Sequence, residues 1–171
     1  MPVLVVAPKN VRNLAENCDM RIFFPALLIA VFSACASSQK VQAPVTTILH
    51  GKAFGHCVGY CIWEQTYTAD ELISSKTSHR ADQYPEVKIT RAFTEADMKR
   101  LLEDFDLEKF RQLPETIGCP DCADGGSEYI EITTAGTKKR VTFENGKAPY
   151  GFENFVLALT QEYDKYKKEL E

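Results

Sequence analysis

The sequence has no excess of positive charge. Twenty Lys and Arg stand against 24 Asp and Glu, a net charge of -4 over 171 residues. Nucleic-acid binders neutralise phosphates with clustered Lys and Arg, so nucleic acid is excluded as a partner. Long apolar runs are missing too. Ile22–Ala34 is uncharged but holds only thirteen residues, and a membrane-spanning helix needs about 20. Histidine is scarce, and His50, His56 and His79 share no spacing. No Gly-x-Ser-x-Gly elbow frames a serine. Gly125-Gly126 lacks the Lys-Ser/Thr that completes a phosphate loop. Glu103, Asp104, Asp106 and Glu108 lack calcium-loop spacing and read as a solvated, helix-capping face. There is no internal repeat. These absences leave no catalytic constellation, no cofactor and no metal site, and the chain reads as a non-enzyme.

What is present begins with an export signature. Apolar residues make up 44% and charged residues 26% of the chain, a globular composition that at this length suits one domain. Ile22–Ala34 has the length of a secretory apolar region, with Arg21 before it and the small pair Ser33-Ala34 after it. Phe32-Ser33-Ala34-Cys35 resembles the lipobox of bacterial lipoproteins, in which Leu, a small residue and Gly or Ala precede Cys; Phe32 takes the place of the Leu. The resemblance implies that Cys35 carries a diacylglyceryl group, that further acylation of the palmitate type follows, and that Cys35 becomes the N-terminus. Residues 1–34 are then a signal peptide. Glu16 and Asp19 are foreign to a leader, so Met20 is the expected start and residues 1–19 an upstream extension. Residues 35–48 read as lipidated cysteine and tether, because Ala36–Val45 is Ser, Gln, Ala and Pro without apolar pattern. Two or more acyl chains anchor a protein stably. Ala36 is not the acidic residue that holds some lipoproteins at the inner membrane, which points to the outer membrane of a cell that has one, with the domain facing periplasm or exterior.

Cys57, Cys61, Cys119 and Cys122 remain, and an even set in an exported chain favours disulfides. Cys119-Pro120-Asp121-Cys122 has Pro where a type I turn wants it. Gly59 lets the chain bend between Cys57 and Cys61. Chain entropy favours a crossed pairing, worth about 4 kcal/mol against about 2 for a small loop. The turn chemistry favours Cys57–Cys61 and Cys119–Cys122. Two other uses compete. A thiol–disulfide exchange site at Cys119 and Cys122 wants a helix N-terminus, which Ala123-Asp124-Gly125-Gly126 does not supply, and Asp121 and Asp124 oppose a thiolate. A small zinc site fits the Cys spacings, with His50 and His56 as further ligands, but an oxidising compartment works against it.

Residues 49–171 read as a single α+β domain, a small antiparallel sheet with helices on one face in the order βββααββα. Trp63–Thr68, Glu71–Thr77 and the alternation around Val87 and Ile89 form strands. Thr94 caps a helix carrying Met98, Leu101, Leu102 and Phe105, and Asp106 caps a second that Pro114 ends. Ile130 and Ile132 pair through the Ala135-Gly136 turn with Val141 and Phe143, their edge protected by Lys138-Lys139-Arg140. Phe152, Phe155, Val156, Leu159, Tyr163 and Tyr166 mark a closing helix whose stripe is core, with a frayed end from Lys165. His56 reads as a solvent-facing turn residue.

Gly55-His56-Cys57-Val58-Gly59-Tyr60-Cys61 resembles the opening of a family of bacterial exported proteins, domain of unknown function number 6438. That family begins Gly-x-Cys-x-Gly-x-Cys-Pro, then runs through strands, a helical segment with a Phe-x-x-Leu end, a hairpin and a closing helix. The likeness covers Leu49–Tyr166, with Phe110–Leu113 and Ser127–Phe143 in the family's places. Ile62 stands for the usual Pro, and Ala69-Asp70 replaces an Asp-Gly turn. Cys119 and Cys122 are additions, which implies that the first pair is complete alone. The resemblance implies a lipoprotein and brings no known activity. The expectation is a membrane-anchored, non-catalytic domain that binds an envelope protein or glycan.

Overall fold

The computed structural model describes residues 44–170, and the expected signal peptide, the expected lipidation site Cys35 and most of the expected tether lie outside them. The chain is α+β. Its strands are β1 (Val45–Ala53), β2 (Ile62–Tyr67), β3 (Glu71–Thr77), β4 (Val87–Ala92), β5 (Thr116–Ile117), β6 (Ser127–Thr134) and β7 (Thr137–Glu144). Its helices are α1 (Glu95–Leu101), α2 (Leu107–Gln112) and α3 (Glu153–Leu170). One sheet holds all seven strands in the order β4-β3-β2-β1-β6-β7-β5.

The sheet is larger than the sequence implied, and its strand order differs. Val45–Ile48, read as tether, form the first half of β1, which pairs with both β2 and β6 at the centre of the sheet. Ile48 opposes Tyr67 and Ile132, and His50 opposes Gln65 and Ile130. The covered side of β1 therefore alternates an aliphatic residue with an imidazole and a lysine, and no apolar period shows. β5 was also unread. It pairs in parallel with β7 over two residues, making the sheet mixed rather than antiparallel. Such a short segment carries no periodicity to detect.

Directly opposed residues share a face. Ile48, Tyr67, Leu72, Ile130, Ile132, Val141 and Phe143 point to one side and meet Met98 and Leu101 of α1, Phe110 of α2, and Phe155 and Leu159 of α3 in one core. Thr94 closes a capping box with Asp97, and Asp106 accepts from the Lys109 N–H. The Thr94 hydroxyl and N–H and the Arg100 guanidinium hold the Asp97 carboxyl down at about 2. Phe155, Val156 and Leu159 are buried as read, while Tyr163 and Tyr166 are half-buried. The end of α3 does not fray at Lys165: the helix runs to Leu170, and Glu169 pairs with Arg91 of β4.

The registers also sort the loops. Ala53 opposes Ile62 and Ser127, Ile62 opposes Thr77, and Ser127 opposes Glu144. Loops 54–61, 78–86, 118–126 and 145–152 thus leave the same end of the sheet. Val45 opposes Thr134 at the other end, where the chain enters β1.

Candidate functional site

Both cysteine pairs lie at this loop end, each Cys beside its sequence neighbour. The Cα atoms are 5.6 Å apart in Cys57–Cys61 and 5.5 Å in Cys119–Cys122, inside the range a disulfide spans. The two bridges differ in surroundings. Cys61 is buried and its N–H donates to the Thr77 carbonyl, so the first bridge is tied into the sheet. Cys119 and Cys122 are both exposed.

Asp121, inside the second bridge, joins the two loops. Its carboxylate accepts from the Gly55 N–H at 3.2 Å and the Gly126 N–H at 3.2 Å. Gly126 has φ 78°, and a Cβ there would stand 2.4 Å from the Phe54 ring, so only glycine fits. The Cys119 N–H donates to Glu144 at 3.2 Å. The Lys147 ammonium first, and this N–H second, hold the Glu144 carboxyl below its usual range. His56 is largely exposed, as the sequence implied, with Nδ1 3.0 Å from the Asp124 carboxylate.

The other loops close the cluster. His79 Nε2 stands 3.0 Å from the Phe54 carbonyl, and the Tyr60 hydroxyl donates to the Pro85 carbonyl at 3.0 Å. Asn145 N–H donates to the Gly126 carbonyl. Lys76 is buried, with its ammonium 4.3 Å from the Tyr60 ring centre and 5.6 Å from that of Trp63. A cation so placed over ring faces is held by their quadrupoles. Two large apolar side chains stand out of the cluster into solvent, Val58 at 85% and Tyr150 at 95% exposure.

A second polar group, unread in the sequence, lies beneath the helices. His50 of β1 and Glu128 of β6 are buried, and His50 Nε2 donates to Glu128 at 2.7 Å. Glu128 also accepts from the Gly146 N–H at 3.0 Å and faces the Lys52 ammonium at 3.8 Å. Burial opposes its charge, but His50, the Gly146 N–H and Lys52 outweigh burial and hold the carboxyl below its usual range. Beside it, the Tyr67 hydroxyl donates to Gln65 at 2.7 Å, and Gln65 donates to Ser74 at 3.0 Å. Burial, and then the nearby Glu162, push the Tyr67 phenol well up. No reacting group is open to solvent here, so this network fixes strand register and braces the loop end through Gly146. A residue separation of 78 between His50 and Glu128 hides the pair from any local pattern.

Asp106 caps α2, Arg111 pairs with Glu108, and Lys138 and Arg140 pair with Glu131. Among the described residues no three His, Cys, Asp or Glu side chains gather around a common point, and no helix is long and apolar enough to cross a membrane. Cysteines closed into bridges offer no thiolate to zinc. No protein-family model matches the chain, and no curated protein does.

Proposed function

We propose that this chain is an exported lipoprotein, anchored through acylated Cys35, whose four-loop end is a binding surface for another protein of the cell envelope. The observation that carries the reading is the pairing of bracing with exposure. Val58, almost fully in solvent, projects from a loop closed by its own bridge and held by Asp121, and Tyr150, equally exposed, from a loop held by the Asn145 N–H on the Gly126 carbonyl and the Gly146 N–H on Glu128. Tyr at such a position is a typical binding anchor, and rigid loops lose little entropy on docking. The placement suits a tether, since β1 starts at the end of the sheet opposite these loops. Bridges within loops also suit an oxidising compartment. A glycan is the competing ligand, because a Tyr ring can stack on a sugar.

The test uses the full chain purified from membranes. Mass spectrometry is expected to find the chain beginning at an acylated Cys35, and an unprocessed chain with reduced thiols overturns the lipoprotein reading. Crosslinked complexes are then compared between wild type and the double variant Val58→Ser, Tyr150→Ser at equal thermal stability. A protein partner held by wild type and lost by the variant supports the surface. Complexes indifferent to the variant, or a glycan in their place, overturn it.

A further inference from the structure

We infer that Cys119–Cys122 is a thiol–disulfide exchange site, a bridge that accepts an electron pair from an exported dithiol while Cys57–Cys61 stays closed. The inference is independent of what the loop end binds. Its first support is access. Exchange requires a thiolate to approach one sulfur in line with the S–S bond. Cys119 and Cys122 are both exposed, whereas Cys57 is half-buried and Cys61 is 1% exposed and hydrogen-bonded into the sheet.

Its second support is the backbone. Asp121, Ala123 and Asp124 have φ of 59°, 52° and 58°. L-residues adopt that left-handed region at a cost, least for Asp and greater for Ala. Three within four positions is a conformation the surroundings must impose. Opening the bridge frees these residues to relax, so the closed form is disfavoured relative to an unstrained loop. Loop 54–61 has no such residue among its non-glycines. A closed bridge is the electrophile, so the partner supplies the attacking sulfur; Asp121 and Asp124 disfavour the departing thiolate and slow this step, which leaves access and backbone strain to favour exchange.

The step balances. A partner thiolate attacks one Sγ of the bridge, a new S–S bond forms, and the other Sγ leaves and takes a proton. The partner's second thiol loses its proton and attacks the mixed disulfide, closing the partner's own bridge and releasing the remaining cysteine. Two electrons and two protons pass from the dithiol to Cys119 and Cys122. Asp121 lies inside the opened ring, so its hold on Gly55 loosens with it.

The oxidised chain is titrated with dithiothreitol, alkylated, and each cysteine read by peptide mass spectrometry with circular dichroism alongside. Cys119 and Cys122 are expected to be labelled at a reductant concentration about tenfold or more below that for Cys57 and Cys61, with the native spectrum intact. Simultaneous opening, opening of Cys57–Cys61 first, or opening only with unfolding overturns the inference. Ala123→Gly removes left-handed cost, which exceeds the freedom glycine adds to the opened loop, so the bridge becomes roughly threefold harder to reduce. No shift, or easier reduction, overturns the backbone argument. A reduced thioredoxin-type protein serves as the second probe. One dithiol oxidised per chain, abolished in Cys119→Ser/Cys122→Ser and kept in Cys57→Ser/Cys61→Ser, is expected, and the reverse overturns the assignment.

Discussion

The two faces of the central strands carry similar polar contacts under different dielectric conditions. On the helix-covered face, His50 and Glu128 meet at 2.7 Å with both side chains buried. On the other face, the Tyr129 hydroxyl donates to Glu64 at 2.6 Å, and Glu131 pairs with Lys138 and Arg140 at 3.0 and 3.2 Å, with both cations well exposed. β6 supplies both sets from alternate positions, Glu128 to the covered face and Tyr129 and Glu131 to the other. Distance does not separate them; the fate of a partner left behind does. A buried group that loses its partner bears its desolvation alone, while an exposed one turns to water.

The largest effect is therefore expected from Glu128→Ala, which strands the His50 ring and the Gly146 N–H. Its cost is about 3 kcal/mol in chemical denaturation at neutral pH. The acid dependence follows from the lowered carboxyl. A folded pKa below the ordinary 4.5 gives stability that is complete above that value and disappears as pH falls through the lower folded one. The gap between wild type and Glu128→Gln is expected to narrow over that range. A gap independent of acid would show that the carboxylate's charge is not what stabilises the pair.

Gly51→Ala comes next, because it joins the two faces. Gly51 opposes Tyr129, and a Cβ there would stand 2.3 Å from the ring. The ring is pinned by Glu64 and has Arg140 4.6 Å from its centre. Overpacking of this kind costs about 2 kcal/mol, and Gly51→Ala combined with Tyr129→Ala should cost less than the sum of the two. Additive losses, read by a double-mutant cycle, would remove the ring from the explanation.

How much of this was legible follows from the same contrast. Strands with an apolar covered side, such as Ile130-Ile132 in β6 and Val141-Phe143 in β7, show their period in sequence. The helix caps Thr94 and Asp106 are local and equally readable. β1 hides because its covered side carries His50 and Lys52, and their partner Glu128 lies on a strand far along the chain. The cysteine pairs could be read because a turn is written between each, although Asp121, at φ 59°, takes the left-handed third position of a type II turn rather than the type I turn that Pro120 implies. The role of Asp121 could not, since its partners are backbone N–H groups of Gly55 and Gly126, invisible in residue type.

Smaller effects belong to the open face. Burial, and then the bond to Glu64, push the Tyr129 phenol upward, so it stays a donor across the accessible pH range. Tyr129→Phe deletes one hydrogen bond and leaves the ring, and should cost about 1 kcal/mol. An unchanged midpoint would mean that water replaces the phenol at Glu64 without loss.

The smallest expected effect discriminates best between the faces. Burial is the largest single influence on Glu131 and opposes its charge, but Lys138 and Arg140 together outweigh it and lower the carboxyl, as the partners of Glu128 do there. The direction is shared, yet Lys138 and Arg140 stand in water. Glu131→Ala should cost about 0.5 kcal/mol in dilute buffer. In 1 M salt the screening length shrinks to about 3 Å, so that cost should vanish while the cost of Glu128→Ala persists. If both losses respond equally to salt, the helices do not shield Glu128 as its burial implies, and burial would no longer distinguish the two faces.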